Sequence, residues 1–174
     1  MKILKEKTRF IQREYLLVWG SIFFVLIMDV LPLPQWGYFY WPSWTLLAVI
    51  YWVLALPYKF NIKFAWFTGL LVDFMSGALL GQNALLYTLI AYSVILLYKR
   101  LRFYIPQQML FVAIAFGFYI LVTLWIEGIR DAPSSSWKKL YSVGTSMLVW
   151  LWVYAVLRHL RRKFYYSEPL KSTL

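Results

Sequence analysis

Long apolar runs, cut at intervals by prolines and short basic clusters, leave the 174-residue chain few folds to adopt. The runs fall at about 15–31, 43–56, 60–75, 84–98, 107–128 and 140–157. A soluble domain of this size is roughly half apolar and about one quarter charged. Here 62% of residues are hydrophobic and 14% are charged, so a small soluble core cannot enclose the apolar surface. Hydrocarbon can take that surface, provided that each crossing segment satisfies its own backbone hydrogen bonds, as a helix does. The pattern therefore predicts an all-α integral membrane protein with six transmembrane helices.

Pro32 and Pro34 close the first run and Pro57 the second, because proline cannot continue a helix. Residues 35–44, QWGYFYWPSW, carry aromatic rings and no charge, which suits a loop at headgroup level. Several runs are shorter than the roughly 20 residues that a bilayer core asks for. Flanking Trp and Tyr extend them, and short helices thin the bilayer. No small-residue cleavage site follows the first run, which reads as an uncleaved helix. Residues 129–139, IRDAPSSSWKK, are the most loop-like stretch.

The net charge of +11 does not indicate a nucleic-acid partner, because the basic residues sit between apolar runs as topology signals. With the N-terminus inside, fifteen of the eighteen Lys and Arg fall on cytoplasmic segments; Arg130, Lys138 and Lys139 fall outside. The expected organisation is a basic cytoplasmic lead-in at 1–14, a membrane domain at 15–157 and a basic cytoplasmic tail at 158–174. That tail interleaves basic and aromatic residues and suits contact with anionic lipid, or simple anchoring. Both termini are expected in the cytoplasm.

Three acids stand inside the runs: Asp29, Asp73 and Glu127. All lie on outward-running segments near the outer end, where they can line an outward polar cavity or a socket for a partner's helix. Charges near the interface cost little, so Asp29 and Glu127 also admit a bland reading, and Arg130 stands one turn from Glu127. Asp73 has no basic residue within a turn. It sits in GLLVDFMSGALLGQN, where Gly69, Asp73 and Gly77 share one helix face and Gly81 continues the spacing. A glycine face admits another backbone closely, and an acid on it needs a partner from elsewhere. Asn83 and Gln82 are candidate amide donors. Structural and partner-binding roles both remain open for Gly69, Asp73, Gly77, Gly81 and Asn83.

Catalytic chemistry finds little support. Cysteine is absent, which removes disulfides, thiolate metal sites and Cys nucleophiles. The one histidine, His159, falls in the basic tail and not in an apolar run, so a Ser–His dyad within the membrane has no base. HExxH, P-loop and dinucleotide fingerprints do not occur. No metal, cofactor or enzymatic activity is expected.

WPSWTLLAVIYWVLALP in the second run and GLLVDFMSGALLGQNAL across the third and fourth resemble the bacterial rod shape-determining protein family MreD. The resemblance rests on the order and spacing of a Pro and a Trp, Tyr-Trp, Leu-Pro, then Gly69, Asp73, Ser76-Gly77 and Leu80-Gly81. It implies a non-enzymatic inner-membrane scaffold of the cell-elongation machinery. The partners it implies are MreC, the actin-like MreB and the peptidoglycan polymerase–transpeptidase pair. It also implies a fold resembling the six-helix substrate-binding subunits of energy-coupling-factor transporters. An alternative function is therefore a small-molecule-binding transporter subunit, against which the first run, YLLVWGSIFFVLIMDVL, offers no small-residue docking stripe.

Overall fold

The structure, a computed structural model, describes residues 2–31, 40–101, 104–129 and 140–165, with side chains at 14–31, 40–101, 104–129 and 140–163. Most of those residues are helical, with no strand among them: α1 Lys2–Val30, α2 Trp44–Ala55, α3 Ile62–Ser76, α4 Gln82–Leu96, α5 Tyr98–Leu101, α6 Ile105–Ile129 and α7 Tyr141–Tyr165. α1 stops at Val30, two residues short of Pro32. α2 stops at Ala55, because Leu56 precedes Pro57 and is driven out of the helical region. The Asn61 side chain caps α3, accepting a hydrogen bond from the Lys63 amide at 3.1 Å.

α2 is the centre of the molecule. Ten consecutive residues, Thr45 to Leu54, are buried, as expected of a helix that is apolar on every side. α1, α3, α4 and α7 all pack against it. Trp52 anchors the α1 contact, donating through Nε1 to Ser21 Oγ at 2.9 Å, while Ser21 donates to the Val18 carbonyl at 2.7 Å. The far end of that pair is held by Lys59, which donates to Glu14. On the outer surface Leu16, Phe74, Trp125 and Trp152 are largely exposed. Water penalises such a surface and lipid does not.

Among the described residues two helices, Ile105–Ile129 and Tyr141–Lys163, are long and apolar enough to cross a membrane. α2, with 12 residues, rises about 18 Å, and α3 and α4, with 15 each, about 22 Å, against a hydrocarbon core of about 30 Å. Three features differ from the sequence expectation. The helix that begins at Lys2 runs unbroken through residue 14. A one-turn helix, α5, occupies part of the basic turn after α4. Last, α7 continues past residue 157 to Tyr165, because RHLRRKF holds no breaker and its cations suit the negative end of the helix dipole. The expected loops at 35–44 and 129–139 fall largely outside the described residues.

Candidate functional site

α4 begins with a deficit. Its N-cap is Gly81, at φ 96°, which has no side chain to meet the free amides of the first turn. Asp73, near the end of α3, supplies what Gly81 lacks. Its Oδ2 accepts from the Gly81 amide at 2.9 Å and the Ala84 amide at 3.2 Å. Its Oδ1 accepts from the Asn83 amide at 2.8 Å and from Asn83 Nδ2 at 2.9 Å. A carboxylate offers about four lone-pair sites, and all four are taken by donors. The side chain is 1% exposed and lies against the positive end of the α4 dipole. Of the two side-chain amides suggested by the sequence, that of Asn83 reaches Asp73; among the described residues Gln82 takes part only through its backbone N–H, which donates to the Leu79 carbonyl.

The clasp closes because α3 and α4 meet almost backbone to backbone. A Cβ at Gly69 would lie 2.5 Å from Ala84 Cα and 2.7 Å from both Ala84 N and the Asn83 oxygen. The other two glycines of the stretch serve differently from the stripe expected. Gly77, at φ 63°, ends α3 in the left-handed conformation, and a Cβ on Gly77 or Gly81 would touch nothing. The helix breaks at Ser76, so the four-residue spacing no longer keeps Gly77 and Gly81 on the Gly69 face. They shape the turn that returns the chain, as glycine does where φ is positive.

Asp29 repeats the device at the preceding hairpin. It reaches from α1 to the start of α2, where Oδ1 accepts from the Trp44 amide and Oδ2 from the Thr45 amide, each at 2.9 Å. Ser43 is the N-cap residue of α2, yet its hydroxyl makes no capping bond and meets Tyr87 Oη at 3.2 Å. Sequence reasoning missed this role, because Ser43 is itself a favoured capping residue and hides the need for a second one. Glu127 lies near the end of α6, the equivalent place in the third pair of long helices. Its expected contact with Arg130 falls outside the described residues.

From Asp73 a polar chain leads inward to a cavity. Asn83 Oδ1 accepts from Tyr119 Oη of α6 at 2.8 Å, and Tyr119 and Tyr87 bring their rings within 6.2 Å. Asp29, Ser43, Asn83 and Tyr119, with Phe116, Ile120, Thr123 and Ser142, line a space of about 460 Å³ at the end of the bundle where the acids stand. That volume lies within the range of small-molecule sites. Trp41 adds an indole Nε1 that is buried and has no hydrogen-bond partner among the described residues. Among those residues, no cluster of His, Cys, Asp and Glu is suited to a metal.

The profile of the rod shape-determining protein MreD family matches residues 9–160, which takes in every element of this site. The chain belongs to the MreD family. It is also 30% identical, over 159 residues, to the rod shape-determining protein MreD of Haemophilus influenzae, covering 87% of this chain and 97% of that one. No solved structure gives a significant match. Membership of the MreD family makes this chain a membrane component of rod-shape determination.

Proposed function

We propose that the chain is a non-enzymatic inner-membrane scaffold that binds an MreC-like protein and so links it to peptidoglycan synthesis, with MreB and the polymerase–transpeptidase pair in the same assembly. All six long helices cross the bilayer in this reading. The 1–14 lead-in and the 158–174 tail are cytoplasmic, and the fold resembles the substrate-binding subunits of energy-coupling-factor transporters. Mutual burial supports the crossings by the short helices, since α2 is covered by protein and needs little lipid contact. The observation that carries the binding role is the cavity at the outer end, with its buried, unpartnered indole Nε1 of Trp41. Such a donor awaits an acceptor from outside the described residues. In this reading Gly69, Asp73, Gly77 and Gly81 hold the α3–α4 hairpin that presents Asn83 to the cavity. Asn83, Tyr119 and Asp29 line it, and Glu127, one turn beyond Thr123 on α6, is a secondary polar contact.

Thr123→Trp, which fills the cavity from α6, tests the assignment. The expected result is normal insertion with loss of MreC recovery in pull-downs from co-expressing membranes. Recovery equal to wild type would remove the cavity from the interface. The cavity volume also favours a second reading, a site for a small molecule. Tight retention of an organic compound through purification, expelled by Thr123→Trp without loss of MreC, would select it.

A further inference from the structure

The opposite end of the bundle holds a second, smaller cavity of about 190 Å³, between the C-terminal turn of α2, the start of α6 and the last turns of α7. Tyr51, Gln108, Tyr154, Arg158 and Arg161 line it. Its chemistry differs from that of the outer cavity. Arg158 stacks over the Tyr154 ring, 5.8 Å from the centroid, and stays exposed to solvent. Arg161 commits one N–H to the Ala55 carbonyl at 3.1 Å, leaving the rest of its five donors. Tyr51 is 2% exposed, and its hydroxyl has no hydrogen-bond partner among the described residues. Gln108 is equally buried; its Nε2 donates to the Leu101 carbonyl at 2.8 Å, which turns an unpartnered Oε1 loose. Among the described side chains the carboxylate at this end is Glu14, and Lys59 takes it.

Two guanidinium groups and a buried hydroxyl ask for a multivalent anion, and the planar forks of arginine suit phosphate oxygens best. The amide Oε1 asks for the reverse, a hydroxyl that donates. An inorganic anion satisfies only the first demand. We propose that this cleft binds a phosphate ester that carries a free hydroxyl beside the phosphate. A glycerol phosphate group has both, whether as the head group of an anionic phospholipid or as a soluble ester. The cleft lies where the basic ends of the helices meet the headgroup layer, and basic pockets between membrane helices are known takers of anionic head groups.

Full-length protein in detergent micelles, washed and examined by native mass spectrometry, tests the site. Wild type is expected to keep one phosphatidylglycerol where phosphatidylcholine at equal concentration washes away. Arg158→Gln should weaken retention by about tenfold or more. Tyr51→Phe, which keeps the ring packing and deletes the buried hydroxyl, should weaken it by about threefold to tenfold. Thermal unfolding in the same micelles checks that both variants keep the fold. Release of bound lipid by millimolar glycerol 3-phosphate assigns the site to a soluble ester, and resistance assigns it to lipid. Equal retention of both lipids by wild type, without glycerol 3-phosphate binding, overturns the proposal. So does retention by the two folded variants that matches wild type.

Discussion

Asp73 is a cap supplied from the neighbouring helix, and this changes what its substitution should do. Asp73→Asn places an NH2 group where the protein presents only donors, so one pair of bonds fails. Asp73→Leu loses all four and leaves the Gly81, Asn83 and Ala84 amides buried without partners, at about 1–3 kcal/mol each. Thermal unfolding in micelles should therefore rank wild type above Asn above Leu; an Asn variant as stable as wild type would contradict the four-donor geometry. Gly69→Ala should cost about 3 kcal/mol, the upper end of the usual cost of overpacking, because the added methyl meets backbone and not a movable side chain. Gly77→Ala should cost about 1 kcal/mol through its left-handed φ alone. Equal losses at the two glycines would mean that α3 and α4 are not in backbone contact. The sequence marked the location, an acid without a basic neighbour among glycines. It did not mark the partner, because backbone amides are present at every residue and stand out only once a helix has begun.

Among the elements, boundaries were legible where proline acts locally, as at Pro32 and Pro57. The continuation of α7 was not, since a basic tail reads alike as solvated coil or helix until its cations are set against the helix dipole. The Asp29 clasp was hidden for another reason: it joins residues fifteen and sixteen positions apart. Asp29→Ala should destabilise by about 0.5–2 kcal/mol, the usual worth of an N-cap. Hydrogen exchange should localise the damage, with the Trp44 and Thr45 amides exchanging faster and the Ala55 end of α2 unchanged. Uniform acceleration along α2 would instead mean that the helix opens as one unit.

For the whole molecule, the orientation proposed above puts the polar cavity outside and the arginine-lined cleft inside. A reporter fused after Leu174 should be cytoplasmic, and one inserted near Ser135 should be external. An external C-terminus would make the number of crossings odd, and one of the short helices α3 and α4 would then fail to cross. Composition made the membrane solution legible at once. The arrangement around α2 was less so, because an all-apolar helix looks the same in sequence whether lipid or protein surrounds it.

The two carboxylate clasps also bear on the order of assembly. Each joins helices adjacent in the chain, and the α3–α4 clasp spans only eight to eleven residues. Loop closure over so short a distance is entropically cheap and fast. The α3–α4 hairpin can thus lock once the first turn of α4 has left the ribosome, with α6 and α7 still unmade. Helices too short to hold a transmembrane position singly would then enter as preformed pairs, their first-turn amides already covered before lipid reaches them.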